Sequence, residues 1–239
     1  DLSFSAKFAL ALDLHPRPVE MPEEDTIVWP VPEAQRMSFP VAEIPMRREQ
    51  PAFFETGEIG PLFTRVVGSL FCDIELRALE WQTARPFLRP RRPRSMAQAV
   101  SAGNANAARA DLTPMLESFR LAAKNLQEIW AQAMTPRALL SVMRLAAAPP
   151  DATFSMSNSL WVRIVYDFLV AFRERTVNRN HLVGALMPLY FAWTASHLFA
   201  LGAETELGAE ERIEALVQVF ETEKPYLLAR WRWPDNFNP

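Results

Sequence analysis

Apolar residues between Phe154 and Leu201 recur with the spacing of two consecutive α-helices. In the first helix the apolar positions are three or four residues apart and therefore lie on one face. They are Leu160, Trp161, Ile164, Val165, Phe168, Leu169 and Phe172. The hydroxyl of Ser155 or Ser157 can cap the start of this helix. The second helix is different, because residues 182–201 contain no Lys, Arg, Asp or Glu.

A helix that is apolar nearly all the way round is either the centre of a helical core or a membrane span. Residues 182–201 are long enough for a bilayer, but they include Pro188, Thr194, Ser196 and His197. The neighbouring helices also have polar faces and need a partner for their apolar stripes. We therefore predict a mainly α fold, a helical bundle around this central helix with a short irregular or β-containing N-terminal segment. A membrane span is the alternative.

Prolines divide the first half of the chain. Residues 1–56 are proline-rich and predict a largely irregular segment. Within it, a short helix ends near His15, and residues 27–29 and 39–41 are candidate short strands or extended segments. Helical spacing of apolar residues then begins at Gly57. From this point we predict one α-helical domain over residues 57–239.

The second half of the chain is predicted to be helical throughout. An apolar stripe over residues 116–133 predicts one helix, and Thr135 followed by a proline predicts the start of the next. A further helix is expected to begin near Glu210 and to end or kink at Pro225. The aromatic tail over residues 231–239 is predicted to be irregular.

Composition excludes several classes of function. The formal net charge of the 239 residues is -3, and arginines and lysines do not alternate with aromatic residues, so nucleic-acid binding is not expected. The single cysteine, Cys72, rules out an internal disulfide and fits a cytoplasmic protein. With three histidines in addition, the chain cannot build a zinc site from several His and Cys ligands. It also has neither of the glycine-rich phosphate-binding motifs.

An arginine-rich stretch is the clearest candidate for binding an anion. Residues 85–94 contain five arginines and three prolines, and lie in a predicted flexible loop over residues 85–112. Arg91 and Arg92 could bind a phosphate or carboxylate in bidentate fashion, or an anionic lipid surface. A solvated connecting loop explains the same composition. No nucleophile and base occur in a recognisable set, so the residues alone show no complete active site.

Several segments resemble a known family. They are Trp130-Ala-Gln-Ala-Met-Thr-Pro-Arg137, Phe154-Ser-Met-Ser-Asn-Ser-Leu-Trp161 with Tyr166, the long apolar helix, and upstream Ala42–Pro45 and Gly57–Phe63. Together they are similar to the C-terminal helical region of the mannosylglycerate synthase and glucosyl-3-phosphoglycerate synthase group. Those proteins are retaining glycosyltransferases with a nucleotide-sugar domain of the GT-A type followed by helices.

The resemblance implies a function for a longer protein. A donor-binding domain would precede Asp1, which itself would fall near the acidic residue beside the acceptor, and residues 1–56 would be the end of that domain. The enzyme would transfer a hexose from a nucleotide sugar to a small anionic hydroxy-acid-like acceptor. It would use a divalent metal, Mg or Mn, and form a homo-oligomer. For this chain alone we expect no cofactor and no activity.

One departure from the family concerns the metal. The family places a metal-binding histidine just before its first C-terminal helix, whereas this chain reads Met46-Arg-Arg-Glu-Gln-Pro51 there. Either the metal is held differently, with Glu49 as the candidate ligand, or this chain has lost part of the site. Arg47 and Arg48 are candidates for stabilising the departing diphosphate. The alternative function is a non-catalytic helical protein-interaction module, cytoplasmic or membrane-associated.

Overall fold

A computed structural model describes residues 3–15, 28–42, 56–83, 112–149, 154–201 and 206–234 of the chain. These residues are mainly helical and include no β-strand, so the predicted mainly α class is confirmed. The chain divides into two compact units, residues 1–103 and 104–239. The predicted boundary between residues 56 and 57 stays a prediction.

The first unit contains four helices among its described residues. They are α1 (Ala6–Leu14), α2 (Pro30–Arg36), α3 (Thr56–Leu76) and α4 (Ala78–Thr83). The hydroxyl of Ser5 accepts a hydrogen bond from the Phe8 amide at 3.2 Å and caps α1, which ends beside His15 as predicted. Residues 39–41 belong to no helix or strand, so the β-containing character predicted for this segment is not confirmed, and Val28 and Trp29 lead directly into α2. Pro30 suits a first helical turn because its fixed φ is already helical.

A buried ion-pair network joins α2 to α3 in this unit. The Glu33 carboxylate accepts hydrogen bonds from Arg36 within α2 and from Arg77, whose Nη2 lies 2.8 Å away. Arg77 also binds Asp73 at 2.8 Å. Burial disfavours ionisation of Glu33, but hydrogen bonds from the two arginines outweigh burial and lower its pKa. The network therefore fixes how α2 and α3 meet.

The second unit is built from longer helices with short connections. They are α5 (Thr113–Asn125), α6 (Gln127–Ala133), α7 (Pro136–Ala146), α8 (Asn158–Glu174), α9 (Arg179–Leu201), α10 (Glu206–Thr222) and α11 (Lys224–Arg232). Thr135 caps α7 and Ser157 caps α8, as predicted. The single helix expected over residues 116–133 is instead broken at Leu126. Trp231, assigned to the irregular tail, is helical.

Helix α8 is the element with the most neighbours in this unit. It packs against α6, α7, α9, α10 and α11, whereas α9 packs against α5, α6 and α8. The prediction that helix 182–201 is the centre of the bundle is therefore not confirmed. From Trp161 to Phe172, α8 is buried on almost every side. Burial of its polar side chains is tolerated because they form hydrogen bonds with groups of other helices.

Helix α9 has the length and composition of a membrane span over residues 179–199, with a mean hydropathy of 1.3. The core helix of a soluble protein passes the same test. Just over half, 56%, of the most apolar 18-residue segment of α9 is buried inside the protein. Trp130 on α6 donates from Nε1 to the Ala185 carbonyl at 2.8 Å, which ties α9 to the helices around it. The C-terminal end of α9 exposes Leu198 and Phe199.

Two leucines of α9 provide a matched test of this packing. Leu186 is 1% exposed and Leu198 is 38% exposed. We expect Leu186→Ala to lower the free energy of unfolding by about 2–5 kcal/mol, because it leaves a cavity in the core. Leu198→Ala should change it by no more than about 0.5 kcal/mol. Urea denaturation followed by circular dichroism measures both, and equal effects would contradict the observed burial of α9.

Candidate functional site

The site residues predicted from the sequence cannot be placed by the structure. Asp1, Arg47, Arg48, Glu49, Arg91 and Arg92 all lie outside the described residues. Cys72 is buried in α3, as expected for a structural cysteine, and His15 is exposed at the end of α1. The candidate site must therefore be sought in side chains that the sequence did not single out.

A buried carboxylate on α8 organises the second unit. Asp167 is fully buried, and its Oδ1 accepts hydrogen bonds from the Tyr226 hydroxyl at 2.7 Å and from Arg230 Nε at 2.9 Å. Its Oδ2 accepts from the Thr135 amide at 3.0 Å. Tyr226 and Arg230 are four positions apart on α11 and so lie on the same helical face. Asp167 thus joins α8 to the start of α7 and to α11.

The charge state of this cluster follows from its burial. Removal from water raises the pKa of the Asp167 carboxyl, and the hydrogen bonds from Thr135, Tyr226 and Arg230 act in the opposite direction. Burial also raises the pKa of Tyr226, so its hydroxyl remains a proton donor to Asp167. Burial has the larger effect, so the pKa of Asp167 lies above its usual value even though its two oxygens receive hydrogen bonds from three groups.

Two further polar residues, Arg163 and Ser159, lie one and two helical turns before Asp167 on the same face of α8. Glu223 accepts hydrogen bonds from the Ser159 hydroxyl at 2.5 Å and from Arg163 Nε at 2.9 Å. The Arg163 guanidinium also lies over the Tyr226 ring, 5.1 Å from its centroid. Burial disfavours ionisation of Glu223, but its two donors outweigh burial and lower its pKa. Ser159, Arg163 and Asp167 thus form a polar stripe that faces α11.

A polar pocket opens beside this stripe, between the start of α7 and the start of α8. We call it the α7–α8 pocket, and its volume is about 160 Å³. It is lined by Thr135, Arg137, Ala138, Ser141, Ser157, Ser159, Leu160, Arg163 and Tyr226. Two helix N-termini and two guanidinium groups therefore border one small cavity, an arrangement that favours a negatively charged group.

Arg137 is the side chain of this pocket that remains available for a ligand. It is exposed in the first turn of α7 and has no hydrogen-bond or ion-pair partner within the described part of the chain. Arg163 is partly engaged by Glu223. The Ser157 hydroxyl accepts a hydrogen bond from the Leu160 amide, and the Ser159 hydroxyl donates one to the Glu223 carboxylate. These two hydroxyls therefore shape the pocket more than they offer free donors.

The described residues around the pocket supply groups that can bind an anion. Within the described ranges no group of three or more His, Cys, Asp or Glu side chains could hold a metal ion. The carboxylates beside the pocket, Asp167 and Glu223, are both fully engaged by donors and are poorly placed to act as a general base. The arrangement can bind and orient a carboxylate or phosphate.

Sequence analysis missed every charged residue of this site. A usable signal was present, because Ser159, Arg163 and Asp167 recur every four positions among mostly apolar residues of this helix. Charges at such positions are buried with partners, since an unpaired buried charge is costly. The identity of those partners on α11 could not be read from the spacing alone.

Comparison with known proteins identifies no relative. No protein-family model, no curated protein and no solved structure matches the chain. The resemblance to glycosyltransferases therefore depends on the quoted sequence segments, and the function must be argued from the site itself.

The importance of the buried ion pair can be measured by removing its negative charge. Asp167→Asn removes the negative charge that Asp167 supplies to the buried Arg230 guanidinium, so we expect the free energy of unfolding to fall by about 3–5 kcal/mol. Glu174→Gln is the control, because the pair of Glu174 with Arg173 is partly exposed, and it should cost less than about 1 kcal/mol. The double variant Asp167→Leu with Arg230→Met should be less destabilised than the sum of its single changes. Additive effects would show that the two side chains do not act as a pair.

The Glu223 contact predicts a pH dependence of stability. Since its pKa is lower in the folded state, its stabilising effect is present above the unfolded pKa of about 4.3 and is lost as the pH falls through the folded value. Glu223→Gln should therefore cost about 1 kcal/mol near neutral pH and less in acid. Glu128→Gln, at an exposed position on α6, is the control and should not alter the pH profile. A constant difference from wild type across the range would contradict the prediction.

Proposed function

We propose that this chain is the C-terminal, acceptor-side and oligomerisation region of a nucleotide-sugar-dependent glycosyltransferase. The observation that carries the proposal is the composition of the α7–α8 pocket. Its lining includes Thr135 and Arg137 from one of the segments that resemble the family, and Ser157, Ser159 and Leu160 from another. Two segments that are distant in sequence and share the resemblance therefore border the same cavity.

The chemistry of the pocket fits the kind of acceptor that the resemblance implies. A small hydroxy acid has a carboxylate, and the planar guanidinium of Arg137 can bind such a group through two parallel hydrogen bonds. The partial positive charge of the α7 and α8 N-termini favours the same anion. A cavity of about 160 Å³ suits one small acidic group rather than a whole nucleotide sugar.

The remaining parts of the proposed site come from outside the described residues. In the full-length enzyme a Mg or Mn ion would neutralise the donor diphosphate, with Glu49 as a candidate ligand. Arg47 and Arg48 would stabilise the departing diphosphate, Asp1 would lie beside the acceptor, and Arg91 and Arg92 would contact anionic substrate groups. The nucleotide-sugar domain would precede residue 1, and the protein would be cytoplasmic.

A protein-interaction module is the second candidate, and exposed apolar side chains on two helices favour it. Leu198 and Phe199 at the end of α9, and Ile213 and Val217 on α10, are exposed to solvent. Exposed apolar side chains that form a contiguous patch are typical of surfaces that bind another protein. Within the first proposal the same side chains would serve the homo-oligomer. The two candidates differ in whether the whole protein transfers a sugar.

The proposal can be tested on the protein produced from its native gene. We expect an intact mass well above the 27.2 kDa of this chain, and transfer of a hexose from a nucleotide sugar to a small hydroxy acid in the presence of Mg²⁺ or Mn²⁺. Arg137→Gln should raise the KM for the acceptor roughly tenfold, because a charge-assisted hydrogen bond is lost. Arg144→Gln, exposed on the same helix, should leave KM unchanged. Replacing Arg47 and Arg48 should lower kcat.

Three results would contradict parts of this proposal separately. A mass equal to that of residues 1–239 would leave no room for a donor-binding domain and would favour the interaction module. Transfer with an unchanged KM in Arg137→Gln would exclude the α7–α8 pocket as the acceptor site while keeping the enzyme class. Unchanged turnover after replacement of Arg47 and Arg48 would remove these residues from the diphosphate site.

A further inference from the structure

A second cavity lies on the other side of the start of α8. We call it the α9–α10 pocket, since its walls are the chain leading into α8, the C-terminal half of α9 and the middle of α10. Its volume is about 290 Å³, larger than that of the α7–α8 pocket. Its lining includes Ser155, Asn158, Trp193, Ser196, His197 and Arg212.

One wall of this pocket is a stack of three rings. Trp193 stacks with Trp161 and with His197, with ring centroids 5.6 Å from the first and 5.2 Å from the second, and both pairs are close to parallel. Trp193 also donates from Nε1 to the Asn158 side-chain oxygen at 3.1 Å. These two ring contacts and the hydrogen bond from the indole nitrogen hold Trp193 in one orientation. The wall is therefore preformed.

The floor of the pocket is fixed by a buried serine. The Ser196 hydroxyl accepts a hydrogen bond from the Met156 amide at 2.8 Å, which joins α9 to the segment that precedes α8. Met156 is itself buried and lines the cavity with its side chain. Both sides of the cavity thus keep their spacing without a ligand, so little ordering is needed on binding.

The polar groups that line the α9–α10 pocket are mostly hydrogen-bond donors. Arg212 has a guanidinium, and His197 has an imidazole ring. The Asn158 oxygen is already used by Trp193, so its amide nitrogen is the part that faces a further acceptor. The lining residues include no Asp or Glu. A cavity with this lining can offer hydrogen-bond donors to a negatively charged group.

We propose that the α9–α10 pocket binds a small organic anion, a carboxylate or a phosphate monoester with a compact apolar or aromatic body. Its charged group meets Arg212 and the Asn158 amide, and its body lies against Met156 and the His197 ring. The site is distinct from the α7–α8 pocket, because Ser157 and Ser159 border that cavity while Ser155 and Asn158 border this one. It does not depend on the transferase proposal.

The imidazole signals of the whole chain offer a direct readout. The protein has three histidines, His15, His181 and His197, and of these His197 lines the pocket. We would titrate phenyl phosphate and benzoate while recording histidine side-chain NMR spectra, with phenol as the uncharged analogue. We expect a saturable shift of the His197 signals, little change at the other two histidines, and no saturable shift with phenol. The anion that binds with the higher affinity identifies the charged group that the pocket prefers.

Two substitutions test where the anion binds. Arg212→Gln should weaken binding roughly tenfold, the effect of losing a charge-assisted hydrogen bond. Asn158→Asp keeps an oxygen for the Trp193 hydrogen bond and places an acid in the first turn of α8, where it does not destabilise the helix. Its negative charge should abolish binding. Arg137→Gln, in the α7–α8 pocket, is the matched control and should bind the probes like wild type.

Several outcomes would overturn the proposal. One is the absence of a saturable shift at His197 with either anion. Another is a uniform shift of all three histidines that persists in Arg212→Gln, which would indicate unspecific binding. Loss of binding in Arg137→Gln but not in Asn158→Asp would assign the anion to the α7–α8 pocket instead. Circular dichroism of each variant shows whether it is folded. If Arg212→Gln does not fold, the result for Asn158→Asp decides whether the anion binds in the α9–α10 pocket.

Discussion

The structure of the second unit depends on the solvation of one carboxylate. Asp167 is removed from water in the middle of α8, and a buried charge is tolerated only where other groups replace its hydration. Its donors come from the residue that caps α7 and from two residues of α11. The requirement to satisfy this charge therefore sets where α7 begins and how α11 lies on α8. The α7–α8 pocket is a consequence of the same geometry.

Much of the helical architecture could be predicted because the relevant signals are local. The spacing of apolar residues predicted α8 and α9, and the capping residues Thr135 and Ser157 predicted two helix starts that the structure confirms. Errors arose where tertiary packing overrides local preference. The break at Leu126, for example, has no proline or glycine to announce it.

The candidate site was harder to predict because its contacts span long stretches of sequence. The residues chosen from arginine density and from the family resemblance lie outside the described part of the chain, so the structure does not test them. The observed cluster joins positions 32 and 63 residues away from Asp167. Periodicity marked Arg163 and Asp167 as unusual members of an apolar helix, but it could not reveal that Glu223 and Arg230 would meet them.

The position of the Asp167 donors along the chain has a consequence for biosynthesis. The ribosome produces α8 before α11, and Tyr226 and Arg230 emerge 59 and 63 residues after the carboxylate that needs them. Until then α8 cannot bury its polar stripe without leaving a charge unpaired, so the nascent unit stays open. A chain that stops before α11 would keep this defect permanently. Cellular quality control, which removes proteins with unstable cores, would then act on truncated copies and spare complete ones.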